Sequence, residues 1–175
     1  MDFIQSFAIE HVTGIKAIHI VSAVVWSFMI MAPMLYYISP AVAEAKANAS
    51  DKELSRRAHW ALEQYDKVAI LEHVFLVIML GSGLLLYASG LASFANGWFV
   101  AKMILVVGVL IPLEFFDIWL AHIKAPKATK ALKASDPEKY AEFRDFFYRS
   151  ISITAPPMVL AVLATLFLAL MKPTF

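Results

Sequence analysis

Four long apolar runs dominate this chain of 175 residues. They cover approximately residues 13–38, 66–90, 98–121 and 151–171, and each is close to the roughly 20 residues that a helix needs to cross ~30 Å of hydrocarbon. Apolar residues make up 61% of the chain, more than is usual in soluble domains. The sequence therefore predicts one all-α membrane domain over residues 1–175, an integral membrane four-helix bundle.

The distribution of positive charge predicts the orientation of this bundle. Lysine and arginine cluster between the first and second runs, from Lys46 to Arg57, and between the third and fourth runs, from Lys124 to Arg149. The short connection at residues 93–97 has none. Because basic connections stay on the cytoplasmic side, we expect a multi-pass protein of the inner membrane with both termini in the periplasm.

The second basic connection also carries aromatic residues at helical spacing: Tyr140, Phe143, Phe146 and Phe147. Such an amphipathic stretch extends a spanning helix or lies on the lipid headgroups. The pattern favours membrane lipid as a partner and argues against nucleic acid.

The chain contains no cysteine. Disulfides, thiolate metal sites, iron–sulfur clusters and covalently attached c-type haem are therefore excluded. A bound metal ion would need histidine, carboxylate, methionine or lysine ligands.

Titratable residues inside the apolar runs are candidate functional residues, because each costs roughly 2.5–3.5 kcal/mol to insert. Lys16, His19 and Lys102 fall in the outer half. His19 is a candidate metal or haem ligand, with a hydrogen-bonded interior histidine as the alternative, and Trp26 follows on the same helix face. Lys16 and Lys102 have two interpretations. They form an anion clamp for porphyrin propionates or an anionic lipid headgroup, or their ammonium groups simply reach the membrane interface.

A second polar layer falls toward the cytoplasmic half. It consists of Glu72, His73, Glu114 and Asp117. These side chains can converge on a divalent metal ion or a proton path. The alternative is an interfacial ion-pair network with Lys67, His122 or Lys124. His73 can serve as a second haem ligand only at the depth of His19, and otherwise belongs to a separate site.

Three ordered strings resemble the HemJ-type protoporphyrinogen oxidase family. Residues 15–20 (IKAIHI), with Trp26 and the Pro33 region, resemble its opening helix. Residues 97–107 (GWFVAKMILVV) are similar to the start of its third helix, and Pro157 to Leu160 with Lys172 and Pro173 to its last helix and terminus. By this resemblance the chain looks like a divergent member. Met34 stands where the family has an arginine, and the histidine expected soon after Tyr37 is missing. The third-helix histidine is replaced near Glu114, and Thr154-Ala155 stands in place of an Asn-Glu pair.

The resemblance implies a membrane protein that binds heme b, the b-type haem. It also implies oxidation of protoporphyrinogen IX, a porphyrin substrate, with electrons passed to the respiratory chain. His19 matches the family's first-helix histidine, a haem-iron ligand, and Lys102 its third-helix lysine. Lys16 and Lys102 are then partners of propionate or substrate anions, and no catalytic residue is assigned.

The sequence thus predicts a haem-binding redox protein that is a candidate oxidoreductase of porphyrin biosynthesis. Two other classes stay open. One is a small non-catalytic subunit of a larger membrane complex or homo-oligomer, which suits the apolar spans and the 13 phenylalanines. The other is metal or proton transport through Glu72, His73, Glu114 and Asp117.

Overall fold

The computed structural model describes residues 3–174, and this part of the chain is helical almost throughout. It forms five helices: α1 (Phe3–Glu10), α2 (Val12–Ala47), α3 (Lys52–Ala88), α4 (Gly97–Leu132) and α5 (Pro137–Met171). The prediction of an all-α four-helix bundle is confirmed. The short helix α1 was not predicted.

Helices α2 to α5 are each 35–37 residues long and apolar enough to cross a membrane. At ~1.5 Å per residue they measure about 52–56 Å, well beyond the ~30 Å of a hydrocarbon core. The predicted spans therefore cover only part of each helix. The surplus lies mainly where the basic connections 48–51 and 133–136 join the helices, which we call the basic end.

The extra length at the basic end has local causes. The Asp51 side chain accepts hydrogen bonds from the backbone N–H groups of Glu53 and Leu54, which caps α3. Asp136 caps α5 in the same way, with Pro137 at its first position. Side chains of this type satisfy amide groups that otherwise lack partners at a helix start. The aromatic stretch at residues 140–147 accordingly extends a spanning helix, one of its two predicted placements.

Each long helix buries one face inside the bundle and exposes the rest of its surface. At the basic end, Ile38, Leu62, Leu120 and Phe147 form a closed core. Trp26 belongs to a second core further along the bundle. Large apolar side chains cover the outside, including Val77, Leu84 and Leu163. An apolar exterior of this extent is typical of a surface that faces lipid, and the four helices fit a multi-pass membrane protein.

Three wider π-helical turns interrupt α2 and α4, at Met34–Ile38, Val106–Leu110 and Trp119–Lys124. Each is followed two residues later by a proline: Pro40, Pro112 and Pro126. Proline has no N–H to donate to the carbonyl four residues earlier. The wider turn uses hydrogen bonds across five residues instead, such as Ala125 N–H to Leu120 O. Each wider turn changes the direction in which the following side chains point. His122 lies in the third of these turns.

Candidate metal centre

Glu72 and His73 on α3 face Glu114 and Asp117 on α4, and all four side chains are buried. Glu72 retains 1% of its exposure. The outer ends of the same helices meet where the Tyr87 ring stacks on Phe99. Tyr87 is 14 residues from His73, so the cluster lies about 21 Å further along the bundle. The inner polar layer predicted from sequence is therefore gathered into one place.

His73 is the centre of this cluster. Its Nε2 lies 3.4 Å from Glu114 Oε2 and 3.5 Å from Asp117 Oδ2. Both distances exceed the 2.7–3.2 Å range of ordinary N–H···O hydrogen bonds. A tetrahedral ion with ligand bonds near 2.1 Å separates its ligand atoms by about 3.4 Å. The spacing around His73 Nε2 therefore suits a shared metal ion better than a hydrogen bond.

The cluster contains several buried polar atoms that lack a hydrogen-bond partner. Within residues 3–174 these are Glu72 Oε2, His73 Nε2, Glu114 Oε2 and Asp117 Oδ2. Leaving one such group unsatisfied costs about 1–3 kcal/mol, and more when it is charged. Four such atoms in one cluster make it a candidate ligand site.

Three of these residues have the geometry of a ligand set. Glu72, His73 and Asp117 each offer one ligand atom, and the three atoms lie within 4.8 Å of one another. Imidazole and carboxylate donors suit Mn²⁺, Fe²⁺ and Zn²⁺. Glu114 Oε2 is close enough to His73 to act as a further donor.

Two more side chains form hydrogen bonds with residues of this cluster. Trp26 on α2 donates its indole N–H to Glu114 Oε1 at 3.1 Å. His122 Nε2 lies 2.7 Å from His73 Nδ1. Trp26 was grouped with His19 from sequence, and the structure places it with the inner layer instead. His122 was considered only as an ion-pair partner, and its position in a π-helical turn explains why helical periodicity did not predict its contact with His73.

Of the three partners considered for an interfacial ion-pair network, His122 contacts the cluster through His73, whereas the two lysines make other contacts. Lys67 donates to Gln64, and Lys124 lies over the Trp119 ring. Among the ion pairs of residues 3–174, His73 is the only partner of Glu114 and Asp117. The three carboxylates therefore face a single imidazole, which leaves room in the charge balance for a divalent cation.

His19 lies in a separate layer. Its Nδ1 is 2.9 Å from the Met79 carbonyl oxygen and 3.2 Å from Ser82 Oγ. Because a carbonyl only accepts, Nδ1 carries the hydrogen and Nε2 is left for another partner. Met79 and Ser82 follow His73 on α3 by six and nine residues, or about 9 and 13.5 Å. The structure does not bring His19 and His73 together around one iron.

The two lysines of the outer layer differ from each other. Lys16 is exposed. Lys102 is half-buried and lies close enough to His19 to act on it electrostatically. Gly83 packs against the same imidazole, since a Cβ there would lie 3.2 Å from His19 Cε1. The outer layer thus contains one oriented histidine and one nearby cation.

Comparison of the chain with family models, with curated proteins and with solved structures finds no match.

Proposed function

We propose that this chain is an integral membrane protein that binds a divalent transition-metal ion inside its helix bundle. Glu72, His73 and Asp117 are the ligands, and Glu114 is a fourth donor or a partner to a metal-bound water. The observation that supports the proposal most directly is the convergence of four buried nitrogen and oxygen atoms that have no hydrogen-bond partner. The same donors and depth suit metal storage, transport or a redox centre in the membrane.

The choice of ion follows from the ligand atoms. The set has three carboxylates and one imidazole, and the chain contains no cysteine. Such a set favours Mn²⁺, Fe²⁺ or Zn²⁺ over Cu(I), which prefers thiolate and thioether ligands. The buried negative charge also favours a dication over a monovalent ion.

The experiment that tests this proposal is metal analysis of protein purified in detergent, stripped with a chelator and reloaded. Elemental analysis and Co²⁺ titration by visible absorption are applied to wild type, Glu72→Gln and Glu142→Gln. Glu142 is exposed on α5 and supplies the matched control. We expect stoichiometric binding in wild type and the control, and weakened binding in Glu72→Gln. Wild-type protein that takes up none of Mn²⁺, Fe²⁺, Co²⁺ and Zn²⁺ would contradict the proposal.

A second candidate function is b-type haem binding at His19, which the resemblance to the HemJ-type family implies. One observation favours it: His19 donates Nδ1–H to a backbone carbonyl, the arrangement that orients most metal-ligating histidines. Lys102 would then face a propionate. Haem would supply one-electron transfer there, and oxidation of protoporphyrinogen IX is the specific activity to assay.

Absorption spectra separate the two candidates. A Soret band with sharp reduced α and β bands, lost in His19→Ala and kept in Glu72→Gln, supports haem at His19. A colourless preparation after haem is supplied during expression removes this candidate and leaves the metal centre unaffected.

A further inference from the structure

At the proposed metal centre, His122 contacts the imidazole of His73. His122 Nε2 and His73 Nδ1 are 2.7 Å apart, and the two rings meet edge to face with centroids 4.7 Å apart. Since His73 Nε2 faces Glu114 and Asp117, the His122 contact is on the ring nitrogen that points away from the proposed ion.

The position of His122 depends on the π-helical turn at Trp119–Lys124. His122 follows Asp117 by five residues, which in a regular α-helix would turn it about 140° away from Asp117. The wider turn brings it back toward α3. Pro126 cannot donate to the His122 carbonyl, so the sequence itself favours this turn.

The hydrogen on His73 follows from the proposed coordination. A neutral imidazole that binds a metal ion through Nε2 carries its hydrogen on Nδ1. Nδ1–H then donates to Nε2 of His122, which must accept. A metal-ligating histidine whose second nitrogen is held in this way has a fixed ring orientation and is a better donor to the metal.

We infer that His122 is a positioning residue of the metal centre: it holds the tautomer and ring orientation of His73 and does not itself touch the ion. This inference rests on the proposed function. A positioning role differs from a ligand role in one testable way. A glutamine amide oxygen at position 122 can accept the hydrogen bond from His73 Nδ1–H in place of His122 Nε2.

The test compares His122→Gln with His122→Phe. Glutamine retains an acceptor for His73 Nδ1–H, whereas phenylalanine keeps a ring and removes the acceptor. His11→Gln is the control for loss of a histidine, because His11 is exposed at the start of α2. Each variant is purified in detergent, checked for monodispersity and helicity, and titrated with Mn²⁺ followed by electron paramagnetic resonance.

We expect His122→Phe to weaken Mn²⁺ binding by about 10–100-fold, the usual effect of removing such a partner. His122→Gln should bind much more tightly than His122→Phe, and His11→Gln should match wild type. Pulsed resonance spectra should show one coordinated imidazole in wild type and in both His122 variants.

Two results would overturn the inference and leave the proposed function intact. The first is wild-type affinity in His122→Phe. The second is the loss of a coordinated imidazole signal in the His122 variants, which would make His122 a ligand. Failure of the wild-type protein to bind any ion is a different result, because it removes the proposed function itself.

Discussion

Two regions of this bundle bury charged side chains, and they differ in how many of the buried polar atoms have hydrogen-bond partners. At the basic end, Arg144 on α5 is fully buried, and each guanidinium nitrogen has a partner. Its Nε donates to Tyr140 Oη, its Nη1 to Asp66 and its Nη2 to Thr129. The candidate metal centre has four buried atoms without a hydrogen-bond partner. Arg144 is therefore fully hydrogen-bonded within the protein, whereas the candidate metal centre has polar atoms that a ligand can still bind.

The Arg144 network extends to the surface of the basic end. Tyr140 donates its hydroxyl to Glu63 Oε1 at 2.6 Å, and Lys133 donates to Glu63 Oε2 at 2.8 Å. The hydrogen bond to Glu63 raises the pKa of the Lys133 amine. Within residues 3–174, one oxygen of this network, Asp66 Oδ1, is buried without a partner. The network is therefore close to complete without any ligand.

The largest expected effect is from Arg144→Ala. Arg144 is fully buried and the side chain of its partner Asp66 is 16% exposed. Removing one partner of a buried ion pair costs about 3–5 kcal/mol, because the other charge is left uncompensated. The free energy of unfolding in mixed micelles should fall by this amount with and without metal. Arg149→Ala, an exposed arginine on the same helix, is the control. A loss that appears only in metal-loaded protein would contradict the distinction between the two regions.

The next effect is metal-dependent stability. At a free metal concentration of 100 times Kd, an ion should stabilise the wild-type protein by about 2.7 kcal/mol. Asp117→Asn should lose most of this stabilisation. Its metal-free form should be at least as stable as metal-free wild type, because one of three neighbouring carboxylates is neutral. Thermal unfolding with chelator and with added Mn²⁺ measures both quantities.

Asp145→Asn, at an exposed position on α5, is the control for this pair of measurements. Metal-free Asp117→Asn that is markedly less stable than metal-free wild type would show that Asp117 is a structural residue like Asp66.

A smaller effect is expected from Trp26→Phe. The substitution removes the hydrogen bond to Glu114 Oε1, and a hydrogen bond to a charged group contributes about 1.5–3 kcal/mol. We expect a loss near the lower value and weaker metal binding, because Glu114 is free to turn away. Trp60→Phe, at an exposed site, is the matched control. Unchanged metal affinity in Trp26→Phe would show that Trp26 has only a packing role.

The smallest effect should follow Lys133→Ala. The salt bridge between Lys133 and Glu63 is largely exposed on the lysine side, and exposed pairs contribute about 0–1 kcal/mol. We expect a small loss of stability at low salt that disappears at high salt, with metal affinity unchanged. A large loss would place Lys133 with Arg144 as an essential member of the network.

Much of the fold could be predicted from the chain, because hydrophobicity and helix length are local properties. The four spans each lie largely within one observed helix, and the two polar layers are found at different depths. The extension at the basic end was predicted only as one of two options, since the same amphipathic pattern at residues 140–147 suits a headgroup surface. Proline at position 126 was a usable signal for the turn that carries His122.

The contacts that define the sites could not be predicted in the same way. Trp26 and Glu114 are 88 residues apart, and His73 and His122 are 49 apart. Whether such residues meet depends on how each helix is rotated about its axis and shifted along its neighbour. Trp26 follows His19 on one helix face, yet it contacts the other layer because seven residues along a helix are about 10.5 Å.

The sequence by itself determined the class of protein, the four apolar helices and the residues that are expensive to place among them. Transfer of side chains from water to hydrocarbon depends on composition and order alone. Only the tertiary structure decided that Arg144 has a hydrogen-bond partner at each nitrogen and that His19 and His73 are separate. It also decided that Glu72, His73, Glu114 and Asp117 share one cluster whose buried atoms lack hydrogen-bond partners. Those outcomes depend on packing between α2, α3, α4 and α5, which fixes distances that no single helix contains.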